Sequence, residues 1–311
     1  MMQNRSIPLS ALELAEAIRE HRAYDGARLD RVLRVDERHG LAEVQAGTPW
    51  PAIAATLRPG DERAAHAPTA PASVGESLAY NAAGPDGRPA VQYVESIAVV
   101  APNGELRRAS RSANRELFAL IAGGHGLFGA LYSVTLDIGA LSRAVNEAAK
   151  PQVLALDQKP NGRPLRLLVP PEKLEAFLCA ARAACGQWRM TLAGIELRHT
   201  APENDSFLCW ARRDYAAITL RLAAAPVLGA AVRATQLRRE LIETAIKHGG
   251  SFAVSCTPEA TRAQAEACYP ELPKFLAEKR RLDPCERMVN PWYLHYRRLF
   301  SGKTCAVRFA N

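Results

Sequence analysis

Residues 94–138 read VESIAVVAPNGELRRASRSANRELFALIAGGHGLFGALYSVTLDI, and this stretch decides the fold class. VESIAVV and LRRAS are strand-like runs, and between them Asn103 and Gly104 form the pair that a type I′ hairpin turn requires. ANRELFALI then has its apolar residues at helical spacing. The glycine cluster GGHGLFG follows, and ALYSVTLDI returns to a strand pattern. A hairpin, a helix and a returning strand in one segment predict mixed α and β structure. Glycines this dense raise the entropy lost on folding, so the turn must need tight conformations or a close backbone approach.

Upstream, Ser10 and Glu13 have capping-box spacing, and Leu12, Ala15 and Ile18 give a helical face running to about His21. RVLRV and LAEVQAG are short strand-like runs joined by DERHG, after which Thr48 is placed to cap a helix begun by Pro49. The turn-rich stretch from Pro59 to Gly87 contains PTAPASVGESLAYNAAG (68–84), whose small residues would let backbone N–H groups approach a pyrophosphate or a flavin edge. The same composition describes a packed turn leading into a helix. GGHGLFG likewise reads as a ligand-facing turn or as a glycine-rich helix exit. His125 within it reads as a hydrogen-bonded structural histidine, since no carboxylate lies near it in sequence.

Between about Gly139 and Pro160 the periodicity lapses, which places the domain boundary there and predicts domains over 1–140 and 141–311. The second half runs PLRLLV (strand), PEKLEAFLCAARAAC (helix), RMTLAGIELRH and DYAAITLRLA (strands), GAAVRATQLRRELIETAIKH (helix) and SFAVSC (strand). That order, β-α-β-β-α-β, is the ferredoxin-like plan. Two helical stretches split by Pro270 lead into the aromatic segment NPWYLHYRRLF.

A chain of 311 residues, 48% of them hydrophobic, can bury two cores. It has no apolar run long enough for a membrane span, and MMQNRSIPLSALELAEAIRE has acidic residues where a secretory signal would need plain apolar ones; a soluble cytoplasmic protein is expected. The net charge of +8 comes from scattered arginines with no run to track a phosphate backbone, so no nucleic-acid partner is expected. The seven cysteines, Cys179 to Cys305, show no C-x-x-C spacing and no neighbouring histidine pair, which excludes the usual metal patterns. No dinucleotide fingerprint follows an opening strand.

Five segments in order carry a family resemblance: residues 29–53, SVGESLAYNAAG (73–84), residues 93–138, ENDSFLCWARRDYAAITLRL (203–222) and residues 269–300. Together they resemble the FAD-linked oxidases typified by vanillyl-alcohol oxidase and p-cresol methylhydroxylase. The resemblance implies an α+β fold: a PCMH-type FAD-binding domain, here truncated, followed by a ferredoxin-like substrate domain. It implies FAD, with Thr69, Ser73, Val74 and Gly75 at its pyrophosphate and ring and Gly126, Phe128, Gly129 and Ala130 near its adenosine end. A small-molecule substrate would lie between the domains, with Lys279, Asn290 and Tyr293 nearest the flavin face. A capped helix and an aromatic packing tail describe those three residues equally well.

The chain departs from that family where RAYDGAR (22–28) stands in place of a strand, a glycine-rich and often histidine-bearing loop, and a further strand. That loop wraps the pyrophosphate and can carry the covalent flavin link, so any flavin here is expected to be noncovalent. Glu76 replaces a second glycine, and Ala83 replaces a polar residue. Two functions remain compatible: oxidation of an alcohol, polyol or lactone-type small molecule by hydride transfer to flavin, or a fold retained after cofactor loss, acting as a binding or partner protein or doing other chemistry in the same cleft. The resemblance requires the two glycine-bearing turns to converge on one cleft.

Overall fold

The computed structural model describes residues 6–57, 73–147, 152–155, 163–223 and 229–301. Its first sheet is built from β1 (Val32–Asp36), β2 (Leu41–Gln45), β3 (Val94–Val100), β4 (Leu106–Ser110) and β5 (Ala130–Asp137), in the order β1-β2-β5-β3-β4 with every pair antiparallel. β5 lies in the centre, and its Val134 and Leu136 join Val44 and Val99 among the most deeply buried side chains. Because Ala130 pairs with Val100, the glycine cluster just before β5 is brought beside the β3–β4 turn.

That turn differs from expectation. Ala101 and Glu105 pair, and Gly104 (φ +81°) is its only left-handed residue, so Pro102, Asn103 and Gly104 form a three-residue loop with a glycine bulge, not a type I′ turn. Pro102 explains the change, since its ring fixes φ near −65°, which suits the first corner of an ordinary type I turn.

Among the described residues, four α-helices accompany this sheet before its last strand. In α1 (Ala11–Arg19) the Ser10 hydroxyl accepts from Glu13 N, but the Glu13 carboxylate accepts from Leu9 N, so the capping box is only half made. α2 (Trp50–Leu57) begins after Pro49, whose carbonyl accepts from Ala52 N and Ile53 N, while the buried Thr48 hydroxyl has no partner among the described residues and caps nothing. α3 (Val74–Ala79) and α4 (Arg115–Ile121) complete the set.

Within the stretch that sequence reads as a boundary, the described residues form two elements. Asp137 caps α5 (Ile138–Asn146) through Ala140 N at 2.8 Å, and α5 buries Leu141 and Ala144 against Tyr93, on the first sheet's side. β6 (Gln152–Ala155) then pairs with the edge of the second sheet. Both elements are short, and so escape a periodicity reading.

The second sheet has the order β10-β7-β9-β8-β6, from β7 (Leu165–Val169), β8 (Thr191–Thr200), β9 (Tyr215–Ala223) and β10 (Ser251–Phe252). α6 (Leu174–Gln187) and α7 (Ala230–Lys247) pack together beside it. Setting β6 aside, this is the ferredoxin-like order expected. β10 is shorter than SFAVSC because the chain leaves the sheet after Ala253, and the Val254 carbonyl accepts from Trp292 Nε1.

α8 (Arg262–Cys268), α9 (Leu272–Leu282) and α10 (Pro291–Phe300) bring the chain back to the first sheet's glycine cluster. Phe275 meets Phe128 edge to face at 4.9 Å, and Trp292 stacks on His125 at 4.1 Å. A second tie lies at Asn81 (φ +44°), whose amide donates to Glu203 Oε1 at 3.2 Å and whose carbonyl accepts from Trp210 Nε1 at 2.8 Å. The molecule is thus α+β, with two antiparallel sheets and a helical carboxyl-terminal segment spanning both.

Candidate functional site

The two glycine-bearing turns do meet. Gly123 N donates to Leu78 O and His125 N to Ala79 O, each at 2.9 Å, so GGHGLFG is docked onto the end of α3. The start of α3 is closed, however. Val74 N donates to Thr48 O, Gly75 N to Ala46 O, Glu76 N to the Ser73 hydroxyl and Ser77 N to Ser73 O, so every N–H of the first turn already has a protein acceptor. A Cβ on Gly75 would stand 2.7 Å from both Cβ and the carbonyl oxygen of Ala46, which makes this glycine a packing requirement.

The other side of the glycine cluster opens on a cavity of about 800 Å³, within the range of cofactor and ligand sites, roughly 300–1,000 Å³. Three segments line it: the end of α1 with the residues after it (Ile18, His21 to Tyr24), the cluster itself (His125, Gly126, Leu127), and Glu286 to Asn290. Gly126 has φ +71°, and a Cβ there would meet nothing within 4 Å, so its backbone faces open space.

Buried charges shape the 286–290 wall. Lys279, 0% exposed, makes an ion pair with Asp283, which also accepts from Arg287 N at 3.0 Å and Met288 N at 2.8 Å. Burial pulls the Lys279 ammonium below the ordinary lysine value; for Asp283 burial acts to raise the pKa, but the ammonium and two backbone N–H groups outweigh it and hold the carboxyl low. Glu286 accepts from the Tyr293 hydroxyl at 2.8 Å and binds Arg297 through both oxygens at 2.6 and 2.5 Å, and the Arg297 hydrogen bonds hold its pKa below the usual range. Its negative charge is therefore offset on the wall. Arg287 donates from Nη1 to Pro102 O at 3.0 Å, while its Nε is buried with no acceptor among the described residues.

His125 stands between Trp292 and Tyr80, the latter edge-on at 5.3 Å, and holds a left-handed backbone (φ +56°) uncommon for a non-glycine residue. Burial lowers its pKa to about 3, so the imidazole is neutral at physiological pH. Its carbonyl accepts from Asn290 Nδ2 at 2.8 Å.

Of the described residues that the resemblance singles out, only Gly126 and Asn290 line the cavity. Ser73, Val74 and Gly75 are in the closed turn, and Thr69 lies outside the described residues. Phe128 and Ala130 are core residues, and Gly129 (φ +152°) lets the chain pass Val99 and Val100. Lys279 and Tyr293 are buried behind the 286–290 wall, while Asn290 also caps α10 through Tyr293 N at 2.9 Å. Sequence reasoning missed Arg22, Arg287 and Glu286. For Arg22 a signal existed, because RAYDGAR is where the chain departs from the family; for Arg287 nothing in ERMVN marks one arginine among many.

These residues fit an extended anionic cofactor at the cavity. The unpartnered Arg287 Nε, the open Gly126 backbone and the His21 side chain are suited to a diphosphate or an electron-rich ring edge, and Arg22, whose Nε pairs with Glu20 Oε2 at 2.7 Å, flanks them. Among the described residues, no group of His, Cys, Asp and Glu could hold a metal ion, and no helix is long and apolar enough to cross a membrane.

Residues 24–110 match the family described as FAD binding domain. A search of curated protein sequences found no match. Among solved structures, the wild-type BBE-like 1 protein of Physcomitrella patens superposes with a TM-score of 0.59 at 11% identity, over 91% of this chain and 89% of that one; it is similar in fold. Residues 24–110 are thus similar to an FAD binding domain, carried in a chain whose α+β fold is similar to that of the Physcomitrella patens protein.

Proposed function

We propose that the chain is an FAD-linked oxidoreductase that binds FAD noncovalently in the cavity between α1, the glycine cluster and residues 286–290, and oxidises a small alcohol, polyol or lactone-type molecule. The observation that carries this reading is the position of the cavity, where the glycine cluster meets the returning carboxyl-terminal segment beside the residues of the FAD-domain match. Arg287 and the Gly126 backbone would hold the cofactor's anionic or electron-rich edge, and Arg22 and His21 would flank it. Asn290, tied to His125 O, keeps the two walls in register. His125 offers an uncharged imidazole edge, so it can hydrogen-bond a hydroxyl without adding charge. Bound flavin supplies a hydride acceptor.

A second reading, a fold retained after cofactor loss, is favoured by one observation: all four N–H groups of the first turn of α3 are spent within the protein. The visible spectrum separates the two. The purified protein, or protein given FAD, is expected to show a flavin spectrum, to release the flavin on denaturation, and to bleach anaerobically with a member of an alcohol, polyol and lactone panel. Flavin that stays with precipitated protein would contradict noncovalent binding, and a colourless protein indifferent to added FAD would favour the second reading.

A further inference from the structure

Away from the cavity, α10 lies along the segment from Val254 to Arg262. Trp292, Tyr296 and Phe300 are four residues apart and share one face of this helix. Trp292 Nε1 donates to Val254 O at 2.9 Å, and the Arg262 guanidinium lies 5.3 Å from the Phe300 ring. These contacts pin both ends of the segment, so Tyr296, midway between them, faces the residues in its middle.

Four side-chain atoms there are buried with no hydrogen-bond partner among the described residues: Thr257 Oγ1, Glu259 Oε2, His295 Nε2 and the Tyr296 hydroxyl. Thr257 and Tyr296 are each 1% exposed. The rest of Glu259 is engaged, with Oε1 near Arg163 Nη2 at 3.6 Å and Arg238 Nε at 3.8 Å, and its carbonyl accepting from Arg239 Nε at 2.9 Å. Burial, with the nearby Cys256 and Glu259, pushes the Tyr296 hydroxyl pKa up, and burial lowers that of His295, so both are held neutral. A carboxylate oxygen requiring a donor thus lies near the Tyr296 hydroxyl and the neutral His295 imidazole, and on the same short segment as the buried Thr257 hydroxyl, groups that can each donate or accept. Buried polar groups in native proteins are nearly all bonded, and an internal water typically satisfies about three of them.

We propose that these atoms form a binding site for ordered water, which donates to Glu259 Oε2 and bonds the Tyr296 and Thr257 hydroxyls. The water ties the Val254–Arg262 segment to α10. Since the first turn of α10 carries Trp292, stacked on His125, and its cap is Asn290, this bridge braces the cavity wall from behind.

The test combines a crystal structure of the full chain, at a resolution that shows ordered solvent, with thermal unfolding of Tyr296→Phe, Thr257→Val and the double variant. A water peak is expected within hydrogen-bond distance of the Tyr296 hydroxyl and Glu259 Oε2. Each single variant is expected to lower Tm by about 2–4 °C. The double variant should lose less than the sum, because both changes release the same water. The proposal is overturned if the peak is missing, if the losses are strictly additive, or if Tyr296→Phe unfolds at the same or a higher temperature, as removal of a hydroxyl with nothing to bond would cause.

Discussion

The two glycine-bearing segments look alike in sequence and do opposite things in the fold. In SVGESLAYNAAG, Gly75 lets α3 press against Ala46, and the adjacent N–H groups are consumed by Thr48, Ala46 and Ser73. In GGHGLFG, Gly126 needs its left-handed backbone but meets nothing, and it borders the cavity. Glycine density therefore reports that backbone must come close to something. Whether that is another strand or a ligand depends on which N–H groups remain unspent, a property of the tertiary fold.

Changes on the two sides of this contrast should differ in kind as well as size. The largest effect is expected from Lys279→Met, which leaves Asp283 buried without its ammonium and should destabilise the protein by about 3–5 kcal/mol in chemical denaturation. The same carboxylate makes an acid limit. Its folded pKa lies below the ordinary value of 3.8, so its contribution is present above that value and is lost as pH falls through the lower folded one.

Next comes Arg287→Met, which removes the unpartnered Nε from the wall. If a charge-assisted hydrogen bond to the cofactor is lost, at about 1.5–3 kcal/mol, FAD affinity measured by flavin fluorescence should fall about 10- to 100-fold. Unchanged affinity would remove Arg287 from the site.

A matched pair sharpens the contrast. Gly75→Ala should cost about 1–3 kcal/mol of stability by overpacking against Ala46 while leaving the FAD affinity of the folded protein unchanged. Gly126→Ala should cost about 1–2 kcal/mol for its φ and also weaken FAD severalfold, because the methyl enters the cavity mouth. If Gly75→Ala weakened FAD more than Gly126→Ala did, the roles given to the two turns would be reversed.

His125 adds a pH dependence. Its pKa is lowered from 6.5 to about 3 by burial, so the unfolded chain binds a proton that the native protein refuses. This contribution to stability is complete above pH 6.5 and declines as pH falls toward 3, by up to about 1.4 kcal/mol per unit. His125→Asn, which tolerates the left-handed backbone, should flatten that slope in unfolding titrations. The smallest effect is expected from Glu76→Gly: about 1 kcal/mol less stability, from poorer helix propensity and a lost charge in the first turn of α3, with no gain in FAD binding because the turn has no free donor.

Much of this architecture is legible in the residues. The ferredoxin-like order follows from apolar spacing in PLRLLV through SFAVSC, and the first sheet from the runs around GGHGLFG. α5 and β6 were hidden because a short capped helix and an edge strand bury little and carry no long period. Asn103–Gly104 misled because the neighbouring Pro102 selects the turn. The cavity was legible only in part. Gly126 and Asn290 belong to segments that the family resemblance singles out, but Arg287 reaches the wall through a turn organised by Asp283, and a long-range contact of that kind leaves no local pattern.

The most direct test is a titration of the wild-type protein, Arg287→Met and Gly75→Ala with FAD, each verified as folded. The cavity assignment predicts saturable binding to the wild type, a loss of about tenfold or more in Arg287→Met, and wild-type affinity in Gly75→Ala. Binding that is indifferent to Arg287 but abolished by Gly75→Ala would move the cofactor to the start of α3 and contradict the account.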